Sequence, residues 1–249
     1  MVAITIIITE TRSMIDIHNH SLPGIDDGSR SYEESLEIIK GLSERGITDI
    51  FLTPHFIEGT NQVSPRFENT NRYNYLRASV RHAHIPVNLY LGNEIYINRN
   101  IEKLLRFGQL KTLGESNFLL IELPMSGEYP DYEGIFLELI NHGYRVILAH
   151  PERYHSFQKD YNRILELQSI GVLFQCNLGS IIDQYGKEAR KTLIRMIKDD
   201  LIFAFGTDIH HVRDFGEISR AKAALGKYYT ENDLHQILNE NPKVLLQGS

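Results

Sequence analysis

Short runs of valine, isoleucine, leucine and phenylalanine recur along the chain at 14–17, 47–53, 87–91, 118–121, 145–149, 172–175 and 201–205. Each is a few residues long and nearly continuous in apolar side chains, the pattern of strands buried on both faces of a parallel sheet. Between them, apolar positions fall at helical spacing over 32–45, 69–83, 101–107, 132–142, 160–169 and 187–199. Seven strand–helix units predict an α/β fold, as a barrel or a doubly wound sheet. Gly46, Gly143 and Gly171 each stand where a helix should end before the next strand, a position that favours the left-handed conformation. A further helix is expected over 217–225, and Thr230 with Asp233 reads as the capping signal of one more, ending before Pro242.

Length and composition narrow this picture. A barrel of alternating strands and helices needs about 250 residues, and the chain has 249, with 42% hydrophobic and 23% charged residues. No repeat or low-complexity linker suggests a boundary, so residues 14–249 read as a single domain. Residues 1–13 read as an N-terminal extension outside the core. Their apolar stretch has no basic residue before it and makes a poor signal peptide, while Met14 directly precedes the first informative strand and is a candidate alternative start. Nothing approaches a membrane span of about 20 apolar residues, and a net charge of -6 argues against broad nucleic-acid binding. Cys176 is the lone cysteine, which points to a reducing cytoplasm. It also excludes a Cys-x5-Arg phosphatase, because Ile182 stands where the arginine is needed.

Side chains that bind metals fall at the C-terminal end of nearly every expected strand. His18 and His20 follow the first, His55 the second, Glu94 the third, Glu122 the fourth, His150 the fifth, and Asp208 with His210 the seventh. In a βα barrel these ends converge on one rim, so residues far apart in sequence share a site. Any one of them alone reads as a cap or loop residue; the recurrence carries the inference. His18 and His20 are two apart, as are Asp208 and His210, so an extended backbone turns each pair to one side. Imidazoles with carboxylates suit Zn, Mn or Fe, and the lack of thiolates argues against structural zinc. Asp26 and Asp27 divide between ligation and capping of the helix that begins near Tyr32. Arg153 and Arg213, each three residues past a rim histidine, are candidate anion clamps. His82, His84, His142, His155, His211 and His235 read as surface or packing residues, and Cys176 and Asn177 receive no role.

Taken together, the segments His18-Asn-His20, Leu22-Pro-Gly-Ile-Asp-Asp-Gly28, Thr53-Pro-His55, Gly92-Asn-Glu94, Ile121-Glu122, Ala149-His-Pro-Glu-Arg153 and Gly206-Thr-Asp-Ile-His210 resemble the polymerase and histidinol phosphatase (PHP) family. Within it they resemble the bacterial manganese-dependent protein-tyrosine phosphatases of capsule and exopolysaccharide loci. The resemblance implies a distorted TIM-like barrel and three metal positions. His18, His20, Glu94 and Asp208 would hold the first ion, Glu94 would bridge to a second held by Glu122 and His150, and Asp27, His55 and His210 would hold the third. It implies two or three manganese ions, with Fe or Zn as alternatives, and gives Arg153 and, on a weaker match, Arg213 the phosphate. It further implies hydrolysis of phosphotyrosine by a metal-activated water, on the tyrosine-rich tail of a membrane-associated bacterial tyrosine kinase. A small-molecule phosphatase such as histidinol phosphatase and a non-catalytic metal-binding scaffold of the export machinery are the alternatives. The oligomeric state is open.

Overall fold

A computed structural model describes residues 13–60, 62 and 66–247. The expected N-terminal extension lies outside the described residues except for Ser13, which exchanges hydrogen bonds with the buried Asn239 near the other end of the chain.

The seven expected strands are present, and two short continuations past a break bring the number among the described residues to nine: β1 Met14–Asn19, β2 Ile47–Leu52, β3 His55–Phe56, β4 Asn88–Leu91, β5 Glu94–Tyr96, β6 Phe118–Glu122, β7 Arg145–Ala149, β8 Leu173–Asn177 and β9 Ile202–Gly206. β2 and β3 are one strand interrupted at Thr53-Pro54, and β4 and β5 are one interrupted at Gly92-Asn93. Proline has no N–H to give a ladder. At Gly92 a Cβ would come 2.8 Å from the Leu113 side chain. The sheets run β1-β2-β4 and β3-β5-β6-β7-β8-β9, every pairing parallel. Both halves of each broken strand keep the same neighbour, so the order is that of one distorted ring.

Among the described residues nine α-helices cover the outside: α1 Tyr32–Ser43, α2 Arg66–His82, α3 Ile101–Arg106, α4 Tyr132–Asn141, α5 His155–Lys159, α6 Asn162–Ser169, α7 Lys187–Lys198, α8 Phe215–Leu225 and α9 Glu231–His235. α5 was not expected; its five residues are too few to show a period. Ser31, not Asp26 or Asp27, caps α1 by accepting from the Glu34 N–H, and Thr230 forms the expected capping box with Asp233. Among the described residues, no helix is long and apolar enough to cross a membrane.

Alternation along the strands sorts side chains into two layers. Ile15, Ile17, Phe51, Phe118, Leu120, Ile147, Ala149 and Ala204 fill the ring, with Leu245 packed beneath them. Their neighbours in sequence, among them Ile50, Leu119, Val146, Leu148 and Phe205, pack outward against the helices, as do Phe174 and Cys176 of β8. The apolar filling leaves off at the C-terminal ends of the strands, where the polar groups begin.

The ring closes between β1 and β9. Only one ladder pair joins them, Asn19 with Ile209, together with hydrogen bonds from the Asp208 N–H to the His18 carbonyl and from the His20 N–H to the Ile209 carbonyl. The fully buried Asp16 carboxylate supplies the rest, accepting from the Thr207 N–H at 2.8 Å, the Thr207 hydroxyl at 2.6 Å and the Asn19 amide at 3.1 Å. A buried carboxylate pays for its desolvation with such bonds or not at all; here burial still pushes the Asp16 carboxyl up against the effect of the Thr207 and Asn19 donors. Replacing Asp16 by alanine strands at least two buried donors at a cost of about 1–3 kcal/mol each. Asp16→Ala is therefore expected to lower the unfolding free energy by about 3 kcal/mol, read from the urea midpoint with chelator present; an unchanged midpoint would mean that the seam closes without this carboxylate.

Candidate metal centre

All nine candidate ligands meet at the C-terminal mouth of the ring. A bulge in β1, where Asp16 pairs with Ile50 but Asn19 with Leu52, inserts one extra residue and re-aims His18 inward beside Ile17, a common use of bulges at sites. Glu94 opens β5 and Glu122 ends β6, while His55 opens β3 after the Pro54 break. His150 and Asp208 leave their strands at positive φ, +33° and +52°. Such backbone costs about 1–3 kcal/mol at a non-glycine residue and persists where the surroundings over-determine it.

Three other donor atoms stand within 3.5 Å of His18 Nε2. His18 Nε2 and His20 Nε2 are 3.1 Å apart. Glu94 Oε2 is 3.0 and 3.2 Å from them, and Asp208 Oδ1 is 3.5 and 3.4 Å. Ligands held about 2.0–2.2 Å from one tetrahedral ion lie about 3.3–3.6 Å from each other, close to the spacing of the two histidines to Glu94 and to Asp208. Glu94 Oε1 turns the other way, 2.9 Å from His150 Nε2, which is also 3.8 Å from Glu122 Oε1. Asp27 Oδ1 is 3.6 Å from His55 Nε2 and 3.5 Å from His210 Nε2, and the His210 ring stacks on His20 with centroids 4.1 Å apart. By proximity the groups able to share an ion are His18-His20-Glu94, His55-Glu94-Glu122, His18-His150-Asp208 and His20-Asp27-His55-His210. The first and last overlap the sets implied for the first and third ions; for the second, Glu122 groups with His55 while His150 also groups with His18 and Asp208.

Protonation follows from crowding. Burial opposes charge on His18, His20 and His55, yet the carboxylates around them, Glu94 at His18 and His55 and Asp26 at His20, hold all three above the ordinary imidazole range. Burial likewise opposes charge on Glu94 and Asp208, and the imidazoles, His18 first, hold both down. At Glu122 the balance goes the other way: burial and the neighbouring Glu94 push it up to about 8, against the effect of His55 and Arg153. Burial and the Arg153 charge depress His150 to about 4. A divalent cation answers the same negative field that these protons answer. Glu94 Oε2 and His55 Nδ1, buried and 3.0 Å apart, lack hydrogen-bond partners, as two ligand lone pairs do. The donor set therefore fits divalent ions.

Asp26 and Asp27 separate cleanly. Asp26 accepts from His20 Nδ1 at 2.8 Å and from the His55 N–H at 3.0 Å, the carboxylate behind a ligand imidazole that fixes its tautomer. Asp27 faces the centre. Arg153, in the turn Pro151–Arg153, donates through Nη1 to Asp208 Oδ2 at 2.7 Å and lies over the Tyr185 ring at 4.2 Å. Arg213 stands apart: its side chain is 80% exposed and its guanidinium lies 3.9 Å from Asp214. The sequence reading missed Asp26 behind His20, Tyr185 under Arg153, and Gln175 with Asn177 behind His18 and Asp208. A signal for the last pair existed in the alternation Phe174-Gln175-Cys176-Asn177, two polar residues on one face of a strand whose other face is apolar.

This architecture is shared. The tyrosine-protein phosphatase YwqE of Bacillus subtilis is 31% identical over 238 residues, 94% of this chain and 92% of that protein. A crystal structure from a set covering YwqE of Bacillus subtilis and CpsB of Streptococcus pneumoniae, described as unique metal-dependent tyrosine phosphatases, superposes with a TM-score of 0.87 at 29% identity over 95% of each chain. Histidinol phosphate phosphatase of Lactococcus lactis, solved with zinc, L-histidinol and phosphate, shares the fold at a TM-score of 0.60 and 15% identity, over 87% of this chain and 94% of that one. Residues 14–247 match the family described as capsular polysaccharide synthesis, CpsB/CapC, and the chain belongs to that family.

Proposed function

We propose that the protein is a metal-dependent protein-tyrosine phosphatase whose ions are held by His18, His20, Asp27, His55, Glu94, Glu122, His150, Asp208 and His210. The observation that carries this reading is the close approach of His18 and His20 to both Glu94 and Asp208 with the Arg153 guanidinium bound to the same Asp208. A polynuclear centre and a cation on one rim are what an in-line attack of water on a phosphate monoester requires. Divalent ions bound here, manganese before iron or zinc, supply Lewis acidity toward phosphoryl oxygen and acidify water near neutral pH.

The chain's own groups do the remainder. Arg153, anchored through Nη1 and seated on Tyr185, keeps edge N–H groups for the equatorial phosphoryl oxygens, where charge is spread in the transition state. Glu94, its two oxygens aimed at different imidazoles, fixes neighbouring positions relative to each other, which supplies orientation. The phenoxide leaving group, with a parent pKa of about 10, departs without strong acid assistance. Arg213 adds at most a peripheral anion contact from its exposed position. The relatives named as tyrosine-protein phosphatases support a phosphotyrosine protein as substrate, and we place the reaction in the cytoplasm, on the tyrosine-rich tail of a bacterial tyrosine kinase.

Metal-stripped protein should not hydrolyse a phosphotyrosine peptide, and manganese should restore turnover above zinc, iron or magnesium. His18→Ala and Asp208→Ala should stay at background with every ion, and preference for histidinol phosphate over the peptide would overturn the substrate assignment. Arg153→Ala should lose about 10²–10³ in kcat/KM, the usual scale for one oxyanion donor, whereas Arg213→Ala should lose less than about tenfold.

The protonation pattern gives a further expectation. Metal ligation needs the carboxylate form. With its carboxyl raised to about 8, Glu122 must release a proton on binding at any pH below that value, and the raised His18, His20 and His55 imidazoles add to the release. Manganese affinity should therefore rise with pH up to about 8, by about tenfold or more per unit. Calorimetry in buffers of different ionisation enthalpy counts the protons; Glu122→Gln should release about one fewer, and a pH-independent affinity would contradict the assignment of Glu122 as a ligand.

A further inference from the structure

β8 is the strand to which the sequence assigns no metal-binding group, yet Gln175 and Asn177 bury polar side chains completely on its inner face. Their hydrogen bonds form a chain whose direction is fixed at one end. Asn177 Nδ2 stands 2.7 Å from Asp208 Oδ2. A carboxylate only accepts, so this end of the Asn177 amide must be its NH2 and the other its oxygen. That oxygen lies 3.0 Å from Gln175 Nε2, which therefore donates and leaves Gln175 Oε1 facing His18 Nδ1 at 2.8 Å. An amide oxygen also only accepts, so His18 carries its hydrogen on Nδ1. Its Nε2 lone pair is then the atom that faces His20, Glu94 and Asp208.

The same chain disposes of one Asp208 oxygen. Oδ2 accepts from both Asn177 Nδ2 and Arg153 Nη1, each at 2.7 Å, and Oδ1 is the oxygen turned toward His18 and His20. Asn177 is itself pinned: its N–H donates at 2.8 Å to Glu152 Oε1, which also accepts from the Ser180 hydroxyl at 2.7 Å. The turn that carries Arg153 is thereby tied to the strand that orients Asp208. The pair also needs space: a Cβ at Gly206 would fall 2.6 Å from His18 Cβ and 2.9 Å from Gln175 Nε2.

We propose that Gln175 and Asn177 are positioning residues of the metal centre, which together select the His18 tautomer and orient the Asp208 carboxylate so that Nε2 and Oδ1 face one cation. This rests on the reading of His18 and Asp208 as ligands. Groups behind metal ligands usually contribute 10- to 100-fold in affinity. Cys176, between the two on the same strand, faces the outer layer against Met196 and serves as the control for packing alone.

The test measures manganese affinity by competition with a fluorescent chelator for the wild type, Gln175→Leu, Asn177→Leu and Cys176→Ala. Both leucine variants should bind about 10- to 100-fold more weakly, and Cys176→Ala as the wild type does. Long-range ¹H–¹⁵N NMR of the metal-free wild type, at a pH where the imidazoles are neutral, should find the His18 hydrogen on Nδ1; this readout needs no variant to fold. Wild-type affinity in Gln175→Leu, equal weakening in Cys176→Ala, or a His18 hydrogen on Nε2 would each overturn the proposal while leaving the ligand assignment intact. A wild type that binds no manganese would overturn both.

Discussion

Glu94 sits almost fully buried with His18, His20, His55 and His150 around its two oxygens, and that arrangement is the constraint from which the rest follows. Two like charges about 4 Å apart repel by about 4 kcal/mol at the effective dielectric of a protein, and Glu94, Glu122 and Asp208 share one mouth. Such a group persists only if positive charge is placed among its members. Protonated imidazoles and the Arg153 guanidinium supply some of it, and the donor spacing fits cations for the remainder. The barrel provides what this requires: rigid strands that converge, and an apolar filling of Ile15, Ile17, Leu120, Ile147 and Ala204 that ends just below the mouth.

Much of this was legible in the sequence. The seven apolar runs mark β1, β2, β4, β6, β7, β8 and β9 within a residue or two, because strands buried on both faces leave a continuous signal; β3 and β5 fall outside the runs. The nine ligand candidates converge because each follows such a run, and topology then does the placing. What was hidden is instructive. Pro54 and Gly92-Asn93 split two strands without changing their neighbours, a distinction that periodicity cannot resolve. α5 is shorter than two helical turns. The competition between Asp26 and Asp27 depended on which carboxylate lay behind a histidine, a matter of three-dimensional reach rather than spacing. Gln175 and Asn177 were passed over because amides do not bind metals as imidazoles do, and their part shows only once the donors and acceptors along β8 are connected.

His150 and Asp208 hold a backbone conformation that side chains other than glycine avoid. The strain is compensated by specific contacts, Glu94 at His150 and Asn177 with Arg153 at Asp208. Directional precision at the centre is thus obtained from local backbone cost, distributed over the two strand ends that flank β8.

The closure of the ring has a further meaning. His18 and His20 come from the first strand and Asp208 and His210 from just past the last, across a seam that carries a single ladder pair and the Asp16 clasp spanning 191 residues. Ions held by these side chains would join the two ends of the fold as a disulfide does in a secreted protein, with a loop enclosed that is nearly the whole domain. A cation bound there would therefore also be a fastener, stabilising the fold where its own backbone pairing is thinnest.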